Sequence, residues 1–450
     1  MRKLFLYIIP IASLMSCGED FLDRKPNKSI VVPTTLDELQ ALLDNSRVMN
    51  VAPGIGVLGA DNIFMEEDGW EGLINPLERN GYLWARDVFE GQQSCSDWTV
   101  PYEQIFYANA VLEQLENVNV STAEEVRWQQ IRGRALFYRA FAFYELAQLF
   151  CAPYHPDAFN GPGIPLRLTA DINAPITRAT IQETYDRIVQ DLEDAVKLLP
   201  VLPEVKTRPA QGTAHALLAR VFLAMEDYER AEHHAGKALE INATLVDYNT
   251  LNAEAARPFT TFHDEVVFHS SMVTYRYLNS ALTYIVPDLM ASYDTDDLRR
   301  LVFFQDRGNG RYTFKGSYTG NLTKFGGISN NEVYLIRAEC RVRNGDVEGA
   351  LEYLNALLEK RWLTGTFIPV AEDDPEVLLE IVLLERRKEL VYRSLRWTDL
   401  RRLNRDVRFA TTLTRTLDAT EYSIGPGDPR YVYPIPFQEI SLSGIAQNER

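Results

Sequence analysis

The 450-residue sequence lacks most of the patterns that mark an enzyme or a metalloprotein. It contains only four cysteines and six histidines, and neither a Cys-x-x-Cys nor a His-Glu-x-x-His spacing occurs. The residues therefore indicate no zinc site and no cysteine nucleophile with a histidine base. A Gly-x-Ser-x-Gly nucleophile elbow is missing as well. We predict no catalytic residue, no metal site and no cofactor.

Basic residues and long hydrophobic runs are also scarce. The chain has 46 Lys and Arg against 63 Asp and Glu, a formal charge of −17, which excludes nucleic acid as a partner because the phosphates would be repelled. The apolar run from Leu4 to Leu14 has about half of the roughly 20 residues that a membrane-spanning helix needs, and it contains Pro10. No membrane-spanning helix is predicted.

The apolar run instead belongs to a signal peptide. It follows Arg2 and Lys3 and ends at Ser16-Cys17, which matches the lipobox at which bacterial lipoproteins are cut and lipidated. We predict a signal peptide over 1–16, lipid attachment at Cys17 and a tether over 17–32. Two or more acyl chains hold a protein on a membrane. The alternative is an ordinary secretory peptide with an incidental cysteine.

Helical periodicity dominates the rest of the chain. The predicted helical regions are 33–47, 102–116, 123–150, 181–199, 212–241, 331–361 and 375–404. Two of them, 212–241 and 331–361, place large and small residues as a tetratricopeptide helix pair does, and their spacing is no multiple of the repeat length of about 34 residues. The fold class is therefore mainly α, with dispersed tetratricopeptide-like helix pairs as a scaffold.

A loop-rich insertion over 242–330 separates the two repeat units. Segments 263–272 and 312–314 are typical of strands, and turn residues interrupt the insertion. We predict one domain over 33–450, with minor β structure and a ligand-binding role for the insertion. Gly54, Gly56 and Gly59 fit the Gly-x-Gly-x-x-Gly pattern, but neither a clear strand before them nor an amphipathic helix after them supports dinucleotide binding.

Aromatic residues outside the regular helices are the candidates for ligand contact. A flat ring stacks on the apolar face of a sugar while polar neighbours bind its hydroxyls. For each ring the alternative is core packing, and Trp70 and Trp84, in Gly-rich polar surroundings, are the first choices for an exposed platform. The candidates are Trp70, Tyr82, Trp84, Trp98, Tyr275, Tyr277 and Tyr312.

The C-terminal third resembles the SusD/RagB family of nutrient-uptake lipoproteins. Three motifs carry the resemblance, NEVYLIRAE over 331–339, ERRKEL over 385–390 and RWTDLRR over 396–402. The chain departs from the family at Arg393-Ser394, where Glu-Gly is common. In the family, the buried tryptophan and its flanking charges tie the last helices to the repeats, which implies that Trp397 and Asp399 are fold residues.

The resemblance implies a lipid-anchored outer-membrane protein that faces outward. It implies that the protein delivers a glycan or oligosaccharide to a SusC-like, TonB-dependent transporter and binds its ligand without cleaving it. Peptide uptake is the alternative within the family. Two further readings remain open: a surface enzyme, since paired carboxylates of a glycosidase meet only in space, and a pure interaction scaffold, since tetratricopeptide surfaces dock proteins.

Overall fold

The fold is described for residues 33–450 by a computed structural model. The predicted signal peptide, Cys17 and the predicted tether lie outside these residues. Within 33–450, no helix is both long and apolar enough to cross a bilayer.

Helices are the main regular structure of the described chain, as the sequence predicts. In chain order they are α1 (Leu36–Leu43), α2 (Ser46–Met49), α3 (Ile55–Gly59), α4 (Glu67–Glu71), α5 (Pro76–Tyr82), α6 (Ser96–Leu115), α7 (Glu125–Phe150), α8 (Ile181–Leu198), α9 (Gln211–Ala224), α10 (Tyr228–Ile241), α11 (Pro287–Ala291), α12 (Arg299–Phe303), α13 (Asn330–Arg343), α14 (Val347–Glu359), α15 (Pro375–Glu389), α16 (Leu395–Leu403) and α17 (Phe437–Ser443). Capping residues in the sequence explain where several of these helices begin. At α1, the Thr35 hydroxyl accepts from the Glu38 amide, and the Glu38 carboxylate accepts from the Thr35 amide.

Two predicted helices are interrupted. The region 33–47 is α1 followed by the short α2, with a break at Asp44 and Asn45. The region 375–404 is α15 and α16, separated by a turn in which Tyr392 and Ser394 have positive φ angles of 59° and 63°. The prediction of continuous helices was wrong at both places, because neither break contains the glycine or proline that usually announces one.

Both predicted repeat units are confirmed as packed helix pairs, α9 with α10 and α13 with α14. Ala219, Ala231, Ala338 and Ala350 are completely buried, which lets the paired helices approach closely. Helix α10 also packs on α13. The two units are therefore neighbours in space although the insertion separates them in the chain.

The strands are short and form two-stranded pairs, so the predicted minor β content is confirmed. They are β1 (Val51–Ala52), β2 (Ile63–Phe64), β3 (Pro162–Pro165), β4 (Arg178–Thr180), β5 (Val266–Phe268), β6 (Ser271–Met272), β7 (Tyr284–Ile285), β8 (Phe304–Asp306), β9 (Tyr312–Phe314), β10 (Ile328–Ser329), β11 (Leu413–Leu417) and β12 (Thr420–Ile424). β1 pairs with β6 in parallel, while β2 with β7, β3 with β4, β5 with β10, β8 with β9 and β11 with β12 are antiparallel. Because β6 and β7 belong to the insertion, the insertion is joined to residues 51–64.

Buried charges join the last helices to the repeats. Trp397 is 1 % exposed, and the neighbouring Asp399 accepts hydrogen bonds from Arg386 and Arg402. Arg402 also binds both carboxylate oxygens of Glu339 on α13, at 2.6 and 2.7 Å. Burial alone would raise the pKa of Glu339, but the Arg402 charge outweighs it and holds that pKa at about 2. Trp397 and Asp399 are thus fold residues, as expected.

The three cysteines within the described residues are free thiols in the core. Cys95, Cys151 and Cys340 are all buried and unpaired with one another. Burial raises the pKa of the Cys151 thiol to about 12 and raises that of Cys340 well above its usual value. Such thiols stay protonated and pack as small apolar groups.

Candidate functional site

Aromatic rings from two distant parts of the chain meet where the insertion joins residues 63–71. Because β2 pairs with β7, Phe64 lies opposite Tyr284, and their ring centroids are 5.4 Å apart. Helix α4 begins three residues after β2 and carries Trp70. Phe64 and Trp70 are half-buried, while Tyr284 keeps 7 % of its surface exposed. We call the surface formed by Phe64, Trp70 and Tyr284 the aromatic face.

Charged hydrogen-bonding groups lie beside these rings. An Arg311 nitrogen is 2.5 Å from a Glu66 carboxylate oxygen, and the Arg311 guanidinium is 5.6 Å from the centre of the Tyr284 ring. Glu66 precedes α4 by one residue, and its carbonyl accepts from the Trp70 amide. Trp70 is therefore one helical turn along α4 from the residue that carries this carboxylate. The aromatic face therefore offers ring surfaces together with a carboxylate and a guanidinium.

The surroundings of the face are acidic. Glu66, Glu67, Asp68 and Glu71 are all exposed along α4, and Arg311 is the cation that the structure places against them. A surplus of negative charge repels anionic ligands. The chemistry of this surface suits an uncharged ligand that presents both C–H faces and hydroxyl groups.

Tyr312 lies at the edge of this region and not on the aromatic face. Tyr312 is the first residue of β9, and Arg311 directly precedes the strand. The half-buried Tyr312 ring contacts Arg300, whose guanidinium carbon lies 5.9 Å from the ring centre. The structure thus pairs Tyr284 with Phe64 and carries Trp70 on the neighbouring α4, while Tyr312 is a separate, partly exposed ring on the β8–β9 hairpin.

Three of the predicted ligand contacts are core residues. Tyr82, Trp84 and Trp98 are 1 %, 1 % and 3 % exposed. The Trp84 indole N–H donates to the Gly59 carbonyl at 2.9 Å, and the Arg415 guanidinium lies 3.9 and 4.3 Å from the ring centres of Tyr82 and Trp84. The expectation that Trp84 forms an exposed platform is wrong, because the glycine-rich segment permits close packing around the ring.

Tyr275 and Tyr277 are also buried, at 6 % and 0 % exposure. The Tyr275 hydroxyl donates to the Asp97 carboxylate, and the Tyr277 hydroxyl donates to the Gly54 carbonyl at 2.5 Å. Burial raises the pKa of Asp97 and raises that of Tyr275 well above its usual value. These tyrosines attach the insertion to α6 and to the segment before α3, so their rings are not available for stacking.

The Gly-x-Gly-x-x-Gly segment has no room for a phosphate. The Asp97 carboxylate accepts from the amides of Gly54 and Ile55 at 2.6 and 3.0 Å, which is where a pyrophosphate would bind at the start of α3. A Cβ atom on Gly59 would lie 2.7 Å from the Trp397 ring. The glycines therefore serve close packing.

Sequence reasoning missed Phe64, Glu66 and Arg311. Phe64 comes from a two-residue strand, too short for an alternating pattern. Arg311 reaches Glu66 only because β2 pairs with β7 and β7 contacts β9. The Arg307 to Gly310 turn was the one local sign that a hairpin presents this region.

Two surface clefts lie elsewhere on the scaffold. One, of about 510 Å³, includes Asp247, Asn355 and Lys360 in its lining, and the other, of about 350 Å³, includes Val201, Lys206 and Asp264. None of the seven predicted aromatics lines either cleft. Of the predicted rings within 33–450, only Trp70 and Tyr312 are partly exposed, and Trp70 is the one on the aromatic face.

Comparisons with known proteins give consistent similarities. A family model described as starch-binding and associating with the outer membrane (SusD-like_3) matches residues 20–223, and a model described as SusD family matches residues 331–449. The SusD-like protein P2 of Formosa agariphila is 25 % identical over 370 residues, which cover 68 % of this chain and 71 % of that protein.

Solved structures share the fold. A SusD superfamily protein from Bacteroides thetaiotaomicron aligns with a TM-score of 0.73 at 22 % identity, covering 92 % of this chain and 100 % of the other. A laminarin-binding SusD-like protein aligns with a TM-score of 0.67 at 17 % identity, covering 92 % and 99 %. At these identities the likeness establishes the architecture alone, which is the mainly helical scaffold described above.

Proposed function

The chain belongs to the SusD family of outer-membrane-associated proteins, and from that premise we propose that it is a cell-surface lipoprotein that captures a glycan and passes it to a TonB-dependent transporter. The aromatic face is the proposed capture site. It binds and does not cleave its ligand. The descriptions of the starch-binding family model and of the laminarin-binding neighbour support the glycan class.

The observation that carries this proposal is the partly exposed Trp70 ring on α4, four residues after Glu66, whose carboxylate is paired with Arg311. A sugar ring would stack its C–H face on the indole, while the carboxylate accepts from hydroxyls and the guanidinium donates to them. The acidic surroundings favour a neutral glycan over a sulfated or uronic one. Tyr312, whose ring lies beside Arg300, would meet only a ligand long enough to reach beyond the aromatic face.

Isothermal titration of the protein against a panel of neutral, uronic and sulfated polysaccharides tests this proposal. We expect a neutral glycan to bind, and Trp70→Ala to weaken that binding by about 1–3 kcal/mol, since a stacked aromatic contributes on this scale. Arg311→Ala should weaken it less, and Tyr312→Ala least for short oligosaccharides.

Trp128→Ala is the matched control. Trp128 on α7 is also half-buried, and its indole N–H donates to a backbone carbonyl at 2.9 Å, as the Trp70 indole does at 3.1 Å. It should leave glycan affinity unchanged. Equal losses of glycan affinity in Trp70→Ala and Trp128→Ala would contradict the assignment of the aromatic face as the capture site. Binding of peptides with no binding of any glycan would favour peptide uptake instead.

Membrane attachment and transfer have their own tests. Cys17→Ser should abolish incorporation of labelled fatty acid and release the protein from the membrane fraction, because the acyl chains of the proposed anchor would be missing. The wild-type lipoprotein should co-purify with a TonB-dependent β-barrel. Incubating the bound glycan with the protein should yield no shortened product, and release of oligosaccharides would show an enzyme.

A further inference from the structure

Two histidines on the first repeat unit face each other across its helix pair. His215 lies on α9 and His234 on α10, with their Nδ1 atoms 2.9 Å apart and their ring centroids 5.2 Å apart. Both residues are half-buried, so part of each remains in contact with solvent. The pair belongs to the repeat scaffold, and the proposed glycan capture makes no use of it.

Packing holds the two rings in this arrangement. The Phe222 ring stacks on His234 with centroids 5.4 Å apart and planes 20° apart, and the His233 ring meets His234 edge-on at 5.2 Å. Gly212, one turn before His215 on α9, lies against Ile241 of α10. Since two packed helices each supply one ring, the separation of the nitrogens is set by the scaffold and not by a mobile loop.

The distance between the nitrogens selects a coordination geometry. Imidazole nitrogens bind divalent transition metals at about 2.0–2.1 Å, so two nitrogens 2.9 Å apart subtend about 90° at a shared ion. That is the angle between neighbouring ligands in a square-planar complex, which is typical of Cu²⁺ and Ni²⁺. A tetrahedral zinc site would require the nitrogens to move apart to about 3.3 Å.

We propose that His215 and His234 form a two-nitrogen site for a square-planar divalent metal ion, Cu²⁺ or Ni²⁺, with water in the remaining positions. Without metal, one Nδ1–H donates to the other Nδ1. With metal, each ring carries its proton on Nε2, and both Nδ1 lone pairs point at the ion. One proton moves from Nδ1 to Nε2 of the same ring, and none is released.

The charges around the pair permit a cation. Lys237 and Arg230 are the nearest positive side chains, but each is paired with a carboxylate, Lys237 with Glu240 at 2.8 Å and Arg230 with Asp227 at 2.6 Å. Neither cation therefore adds an uncompensated positive charge beside the site.

The site has only two protein ligands. Among residues 33–450, no group of three or more His, Cys, Asp or Glu is arranged to hold a metal ion. A pair of imidazoles binds more weakly than a closed site of four, so the expected affinity is modest and follows the order Cu²⁺, Ni²⁺, then Zn²⁺. Cu²⁺ gains both from this geometry and from its general preference for nitrogen.

Titration of the full-length lipoprotein, prepared without a histidine tag and in a buffer that does not bind metals, tests the proposal. We expect one Cu²⁺ per chain, and binding weakened at least roughly tenfold by His215→Gln or His234→Gln, as for loss of a ligand. His233→Gln is the matched control and should bind as the wild type does. Electron paramagnetic resonance of the wild-type copper complex should show a tetragonal ion with two imidazole nitrogens, a result that needs no variant to fold.

Three results would overturn the assignment. Copper binding that persists unchanged in both glutamine variants would place the ion elsewhere. A tighter site for Zn²⁺ than for Cu²⁺ would contradict the 90° geometry. A loss of copper affinity in His233→Gln equal to that in the other two variants would show that His215 and His234 are not the ligand pair.

Discussion

Glu145 is expected to reduce the stability of the protein as the pH rises through neutrality. Its carboxylate is on α7, 3.6 Å from Arg220, and its side chain is 13 % exposed. Arg220 already holds Glu332 through two hydrogen bonds of 2.7 Å, so its charge is largely neutralised before it acts on Glu145. Burial, opposed by Arg220 and reinforced by Glu332, raises the pKa of Glu145 from 4.5 to about 7.

The sign and size of the effect follow from this pKa. Above pH 4.5 the unfolded chain releases the Glu145 proton while the folded protein keeps it, so the folded state loses its advantage as the pH rises through about 7. Each pKa unit corresponds to about 1.4 kcal/mol, so the folded state loses about 2–3 kcal/mol from this group between roughly pH 5 and pH 8. Glu145→Gln keeps the shape and never ionises. Between roughly pH 5 and pH 8, the free energy of unfolding of Glu145→Gln should therefore rise by about this amount relative to that of the wild type.

Urea unfolding of the two proteins at both pH values measures this change, since the difference between them cancels the other titrating groups. Glu183→Gln is the control. Hydrogen bonds from Thr180 lower the pKa of Glu183 from 4.5, so its contribution is complete above pH 4.5 and should not change between the two pH values. A Glu145→Gln effect that is equal at both pH values, or that falls with pH, would refute the reasoning.

Four further substitutions test the packing. Trp84→Ala should cost about 3–5 kcal/mol in the free energy of unfolding. A loss below about 1 kcal/mol would mean that the ring is not packed in the core. Gly59→Ala should cost about 1–3 kcal/mol in the free energy of unfolding, because the added Cβ would overlap the Trp397 ring. An unchanged urea midpoint would contradict this. Arg299→Met should cost about 3–5 kcal/mol by leaving buried carboxylates unpaired, and its control Lys197→Met, in an exposed pair, should leave the free energy of unfolding nearly unchanged. Ser394→Gly should raise stability by about 0.5–1 kcal/mol by relieving a left-handed backbone, and a loss would show that the serine side chain contributes.

The sequence predicts the scaffold well because its signals are local. The helix pairs α9–α10 and α13–α14 follow from apolar periodicity, small residues at the helix contacts and turns capped by Asp227 and Asp346. The break before α16 shows where this reasoning fails. Ser394 adopts φ 63° at a position where a glycine would have announced the turn, so the pattern reads as one helix through it.

The site was less predictable because burial depends on pairing between distant segments. Trp70 and Trp84 have similar glycine-rich, polar neighbours, yet one ring is half-exposed and the other lies under Arg415. The difference arises from β11, far along the chain, which carries Arg415 across the Trp84 ring. The residues near Trp84 in the sequence give no sign of this contact. Local composition alone therefore cannot distinguish an exposed aromatic ring from a core residue.

The buried charge cluster of α12 explains how the insertion can present a rigid binding surface. The β8–β9 hairpin follows α12 directly, and Arg299 at the start of α12 is completely buried. Its guanidinium binds Asp297 at 2.7 Å and reaches Glu385 and Glu389 of α15 at 2.6 and 3.2 Å. Helix α15 packs on α13, so the hairpin is fixed to the repeat scaffold. A surface held in this way loses little conformational entropy when a ligand binds, which favours the proposed capture of a flexible glycan by a shallow face with few rings.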